Sequence, residues 1–112
     1  MADCLFCKIA GGEVPAKIVA QDQRFVAFRD VNPQAPTHIL VIPRTHVASL
    51  NDVGDGDLLG GMLAYAREVA RAEGLAERGY RLVINTNAEA GQTVFHLHAH
   101  LLGGRAMHWP PG

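Results

Sequence analysis

The chain has 112 residues, 48% of them hydrophobic, and a formal net charge of -1 with basic and acidic residues interleaved. That length suits a single domain over 1–112 with a real core, and the absence of a basic block argues against binding a nucleic-acid backbone. No apolar run approaches the roughly 18 residues of a membrane span, and Met1-Ala2-Asp3-Cys4 lacks the positive leader and apolar stretch of a signal peptide, so a cytoplasmic protein is expected, whose two cysteines do not form a structural disulfide.

No repeat, low-complexity segment or linker interrupts the chain. Leu5 to Ala10 reads as a short helix stopped by Gly11-Gly12. Lys17 to Ala20 is a short apolar strand, and Asp22-Gln23 a turn. Arg24 to Phe28 is a second strand, ended by Asp30-Val31-Asn32-Pro33 because the residue before proline resists continued regular structure. Thr37 to Ile42 is a third strand, so uniformly apolar that both faces should be buried. Asp55 or Asp57 can cap the main helix, in which Leu58, Leu59, Met62, Leu63, Ala66, Val69 and Ala70 recur at helical spacing until Gly74. Gly79 to Thr86 is the fourth strand, with Tyr80, Leu82 and Ile84 on one face. Val94 to Leu102 is the fifth, and the tail Met107-His108-Trp109-Pro110-Pro111-Gly112 is irregular. Strands in a run around one main helix predict an α+β fold with an antiparallel sheet.

Three of the six histidines fall within five residues, His96-Leu97-His98-Ala99-His100. On a strand, alternate side chains share a face, so the three imidazoles line one side while Phe95, Leu97, Ala99 and Leu101 enter the core. The plain alternative is a histidine-rich solvent face. A metal hydrolase built on a His-x-His pair is a sharper one. One ion for all three is disfavoured, since the outer pair would sit roughly 13 Å apart at strand rise. Nucleophilic catalysis suits the spacing better: a neutral imidazole is nucleophilic near pH 7 and needs no activating base. Just upstream, Ala90-Gly91-Gln92-Thr93 forms a turn whose backbone N–H groups and threonine hydroxyl can cradle an anion.

With these residues in view, the chain resembles the histidine triad proteins, whose signature His-x-His-x-His-x-x matches His96 to Leu102. The resemblance extends over Cys4 to Ile9, Pro15 to Ile18, Asp30 to His38 and Gly103 to Gly112, and these stretches are similar to the histidine triad nucleotide-binding branch. It implies a five-stranded antiparallel sheet with one main and one short helix, joined across a homodimer. It also implies a purine nucleoside phosphoramidase that cleaves the P–N bond of adenosine 5′-monophosphoramidates and releases AMP, with purine nucleoside monophosphates as its partners and no cofactor needed for catalysis.

Carried over by position, the resemblance makes His98 the nucleophile and His100 a phosphate contact. His96 orients His98 and His46 sits at the edge of the site. Asn85, Gly91, Gln92 and Thr93 hold the phosphate, with Thr93 standing where serine is common. Asp30 holds the ribose hydroxyls, though a turn residue before Asn32-Pro33 reads equally well. Ile18, Phe6 and Val31 are candidates for the base pocket, and core packing explains them as well. His38, inside an apolar strand, reads as a core or edge histidine. Trp109 in the proline-rich tail would lie near the partner's substrate site and shape selectivity for the leaving amine.

Cys4 and Cys7 form Cys-x-x-Cys, half of a zinc site. The resemblance supplies His46 and His96 as the other half of a structural site; two ordinary buried thiols are the alternative. A nucleotide- or protein-binding module without turnover remains a third class, separable from an enzyme by trapping label on His98.

Overall fold

The computed structural model describes residues 3–54 and 56–112. Its α+β architecture is set by strands that alternate between two apolar faces. β1 (Ile18–Gln21), β2 (Phe25–Arg29), β3 (Thr37–Pro43), β4 (Tyr80–Val83) and β5 (Ala99–Gly103) form one antiparallel sheet in the order β1-β2-β3-β5-β4. Phe25 and Ala27 of β2, Ile39 and Val41 of β3, and Ala99 and Leu101 of β5 pack on one side with the long helix α2 (Gly56–Ala72). Val26, Phe28, Leu40 and Ile42 face the other side and meet Phe6 and Ile9 of the short helix α1 (Leu5–Ala10). β3 is therefore buried on both faces, as its composition predicts.

α1 is capped by a thiol. Cys4 stands at the N-cap and its sulfur accepts from the Cys7 N–H at 3.3 Å. At the other end the Gly11 N–H closes on the Cys7 carbonyl at 2.9 Å, and Gly12 turns the chain with φ +80°. The Asp22 turn forms as expected, its carboxylate accepting from the N–H groups of Arg24 and Phe25, each at 2.7 Å. In α2, Met62, Ala66, Val69 and Ala70 are buried, whereas Leu63 faces outward and is 42% exposed, contrary to its place in the helical pattern. Asp57 sits inside the first turn, where its charge complements the helix dipole rather than capping it. Asp55, the other capping candidate, lies outside the described residues, as do Met1 and Ala2. No helix among the described residues is long and apolar enough to cross a membrane.

Two strand limits differ from expectation by more than one residue, and one cause explains both. β4 ends at Val83 rather than Thr86, and β5 begins at Ala99 rather than Val94. The intervening segment finds partners in the loop after β3 instead of in the ladder. The Leu97 N–H donates to the Val47 carbonyl at 2.7 Å, and the Gln92 amide donates to the Ala48 carbonyl at 2.9 Å. Asn85 consequently lies beyond the end of β4. Phe95, expected in the core, is 51% exposed, while Leu97, Ala99 and Leu101 are buried as predicted.

β5 leaves the sheet through a close approach. Gly104 has φ +91°, and an added Cβ would lie 2.9 Å from Pro36 Cβ, at the entry to β3. Gly104→Ala is expected to destabilise the fold by about 1–3 kcal/mol, read as a lower urea midpoint with an unchanged slope; an unchanged midpoint would show that the turn relaxes freely. Beyond it, residues 105–112 contain no regular element, and the Arg81 guanidinium holds the His108 carbonyl at 3.1 Å.

Candidate active site

His96, His98 and His100 share the α1 side of the sheet, but that side is no solvent face. His96 is fully buried and His98 is 8% exposed. The Phe6 ring sits edge-on to both, at centroid distances of 6.0 Å and 5.1 Å. A face carrying imidazoles is thus half core. It tolerates them because each ring has a hydrogen-bond partner, and no buried side-chain nitrogen or oxygen among the described residues lacks one.

These partners assign the protons. The His98 Nδ1 lies 2.7 Å from the His96 carbonyl. A carbonyl only accepts, so Nδ1 carries the proton and Nε2 keeps its lone pair. The same logic applies to His96, whose Nε2 lies 2.7 Å from the Pro43 carbonyl and therefore donates, leaving Nδ1 unprotonated. The free nitrogens of His96 and His98 have different neighbours: His96 Nδ1 faces the sulfurs of Cys4 and Cys7 at 3.3 Å and 3.5 Å, while His98 borders an open cavity. The free nitrogens of His96 and His98 therefore do not converge on one ion.

His38 is the functional candidate that sequence reading missed. The Gln34 N–H donates to its Nδ1 at 3.0 Å, which puts the proton of the neutral ring on Nε2. That Nε2 lies 2.9 Å from His100 Nδ1 and 3.4 Å from a carboxylate oxygen of Asp30. His100 Nδ1 therefore accepts, and its Nε2–H becomes the free donor of the ring. Asp30 itself uses Oδ1 to accept from the Asn32 N–H at 2.8 Å, so it is both turn residue and site residue.

Burial lowers the pKa of His38, His96 and His98, opposed by Asp30 at His38, by the Pro43 bond at His96, and by the His96 bond and Asp30 at His98. For His100, burial reinforced by His98 and His38 brings it from 6.5 to about 4. These rings are neutral at pH 7. Unfolded histidines bind protons as the pH drops below their ordinary value, and the buried ones resist, so the stability they contribute is complete above pH 6.5 and is lost as the pH falls toward about 4. Urea midpoints should drop across that window, and His100→Asn should flatten part of the slope; an identical slope in the variant would remove His100 as a cause.

The cavity has a volume of about 390 Å³ and is lined mostly by apolar side chains, including Phe6, Ile9, Val14, Phe28 and Val31. Asp30, Thr93, His98 and His100 bring polar atoms to its wall. Such a mixture, apolar with a few convergent polar groups, is the usual make-up of a small-ligand site. Ile18 does not line it; it lies on edge strand β1 and is 41% exposed. Asn85, Gly91 and Gln92 do not line it either. The N–H groups of Gly91 and Gln92 close their own turn, on Ala88 and Asn87 at 3.0 Å and 3.1 Å, rather than standing free for an anion. The Gln92 side chain is buried and fully engaged: it accepts from the Asn87 N–H at 2.8 Å and donates to Ala48 and Val94. It pins the loop that presents Thr93. Trp109 is 82% exposed on the tail.

His46 stands with the cysteines, the second of the two places that the resemblance gives it. Its Nδ1 is 3.4 Å from Cys7 Sγ, and its ring meets His96 edge-on at 5.0 Å. The donor atoms of Cys4, Cys7, His46 and His96 all lie within 4.8 Å of one another, a set that could hold a metal ion. Both cysteines are free thiols.

The HIT domain pattern matches residues 11–107. The chain is 50% identical to the purine nucleoside phosphoramidase of Escherichia coli K12, over 94% of this chain and 90% of that protein. Among solved structures, a HIT family hydrolase from Legionella pneumophila superposes with a TM-score of 0.95 at 59% identity, covering 98% of this chain and 100% of that one. A zinc-bound histidine triad family protein from Mycobacterium smegmatis superposes with a TM-score of 0.84 at 36% identity, covering 93% and 76% of the two chains. The buried imidazole face, the cavity beside it and these likenesses agree: the chain belongs to the HIT domain family.

Proposed function

We propose that this protein is a hydrolase that cleaves the P–N bond of purine nucleoside 5′-monophosphoramidates through a nucleotidyl-histidine intermediate on His98 and releases AMP. The observation that carries the reading is the His98 tautomer: Nδ1–H is spent on the His96 carbonyl at 2.7 Å, so the lone pair sits on Nε2 of a ring that borders the cavity. Burial keeps that ring neutral at physiological pH. The E. coli relative named a purine nucleoside phosphoramidase supports the substrate class.

In the first step Nε2 attacks the α-phosphorus, the N–P bond forms, and the P–N bond to the amine breaks. The amine leaves with the bonding pair and takes up a proton. Water then attacks phosphorus, the histidine–phosphorus bond breaks, and AMP departs as His98 recovers its neutral form. The His100 Nε2–H and the Thr93 hydroxyl are the donors suited to charge on the phosphate oxygens. Asp30 is suited to the ribose hydroxyls, and Phe6 and Val31 to the base. Gly91 and Gln92 serve by shaping the loop that carries Thr93. His96 aims the nucleophile through its carbonyl.

A single-turnover experiment with adenosine 5′-phosphoramidate labelled in the nucleotide tests the reading. Label should appear on His98 before AMP is released, and turnover should persist in chelator. Stoichiometric binding with no labelled protein and no AMP would reduce the chain to a binding module.

Cys4, Cys7, His46 and His96 would hold a structural zinc ion. The fit is chemical and geometric. Tetrahedral bonds of roughly 2.3 Å to sulfur and 2.0–2.1 Å to nitrogen separate neighbouring ligands by about 3.5 Å, and three of the four nitrogen–sulfur distances here are 3.3–3.5 Å. The Pro43 carbonyl already holds His96 in the tautomer that points a lone pair at the sulfurs. With four protein ligands the ion would supply rigidity rather than a bound water.

A homodimer joined along β4 completes the proposal. β4 is an edge strand with half-buried residues along its length, a geometry that pairs readily with a second copy. In that assembly Trp109 would approach the partner's leaving-group side.

A further inference from the structure

The cysteine cluster and the cavity are neighbours joined through α1 and the histidine segment. Phe6 lies between Cys4 and Cys7 on the first turn of α1. Its ring lines the cavity and touches the edges of His96 and His98. α1 has only six residues, too few to hold a helix by itself. Its position therefore depends on its ties: the apolar seat of Phe6 and Ile9 on β2 and β3, and the links of Cys4 to His96 and of Cys7 to His46 and His96. His96 faces both ways. Its ring belongs to the cluster, and its carbonyl is the group that receives the His98 Nδ1–H.

We infer that the cluster is an effector site for the cavity: a borderline-soft divalent ion such as Zn²⁺, held by Cys4, Cys7, His46 and His96, tightens the binding of a nucleoside monophosphate through Phe6 and the His96 backbone. The inference rests on the nucleotide reading above. Without an ion, α1 is tied to the histidine segment by thiol hydrogen bonds, which are weak. With one, the same four residues are fixed together, and the Phe6 wall is ordered before the nucleotide arrives. A ligand that needs that wall in place then loses less entropy on binding. Linkage makes the effect reciprocal: the factor by which Zn²⁺ improves AMP binding equals the factor by which AMP improves Zn²⁺ binding.

The experiment uses the full chain in metal-free and Zn²⁺-loaded forms. AMP affinity is measured by calorimetry on each form, and Zn²⁺ affinity by competition with a chromophoric chelator with and without saturating AMP. Both factors should be equal and about fivefold or larger. Phe6→Leu should still bind Zn²⁺, with the factor reduced to within about twofold of one, because the ring that joins the two sites is gone. Equal Zn²⁺ affinity with and without AMP, when AMP binds both forms, overturns the inference and leaves the nucleotide reading intact. A chain that binds no Zn²⁺ overturns it in the same way. AMP binding to neither form overturns the nucleotide reading as well.

Discussion

His98→Ala should lower kcat/KM for adenosine 5′-phosphoramidate by roughly ten-thousand-fold or more, because removing a covalent nucleophile eliminates the pathway rather than weakening one contact. AMP binding should survive within about tenfold, since His98 is one wall group among several and Phe6, Asp30, Thr93 and His100 remain. The loss belongs in kcat, and no adduct carrying one AMP moiety should be found by mass spectrometry. A variant that kept a hundredth of the wild-type kcat would remove His98 from the role. His96→Gln provides the contrast: it keeps the backbone carbonyl that orients His98 but loses the imidazole beside the cysteines. It should retain more activity than His98→Ala while losing affinity for Zn²⁺.

His38→Leu should lower kcat by about 10–100-fold, the range typical of a supporting residue that fixes the tautomer of a functional histidine. The Gln34 N–H sets the His38 proton on Nε2, and that proton sets the lone pair of His100 on Nδ1. With His38 gone, His100 can turn over its tautomer and present a lone pair where a donor is needed. His38 does not line the 390 Å³ cavity, so KM should change less than kcat. Nitrogen-15 spectra of the His100 ring report the tautomer directly: a single Nε2–H form in the wild type, a mixture in His38→Leu, and partial recovery in His38→Gln, whose amide can still donate. An unaltered His100 spectrum would reduce His38 to packing.

The fold was largely legible because most of its signals are local. Richness in Phe and Val over Arg24 to Phe28 and near-unbroken apolarity in Thr37 to Ile42 mark β2 and β3, and the spacing of Met62, Ala66, Val69 and Ala70 marks α2. The misplaced residues were those decided by distant partners. Periodicity carries no sign that the segment from Ile84 to His98 bonds to the loop after β3, so it extends β5 too far and places Phe95 in the core. Ile18 looked like a pocket residue because it is apolar, but edge strand β1 carries it away from the cavity. His38 read as a core histidine because its neighbours in sequence are apolar; the group that gives it meaning, His100, is 62 residues away. Gln92 looked like an anion ligand, and only its three hydrogen bonds reveal a loop pin.

The ladder between β3 and β5 begins at the Val41–Ala99 pair, so His96 and His98 stand just outside the hydrogen-bonded register. The same chain stretch that carries them, from Ile84 onward, is anchored at a few points rather than along its length. Sheet register is set independently by β5 and its partners on β3 and β4. The register of the sheet therefore does not depend on the segment between Ile84 and Val94, whereas the placement of Thr93 does, through the bonds of Gln92 to Asn87, Ala48 and Val94.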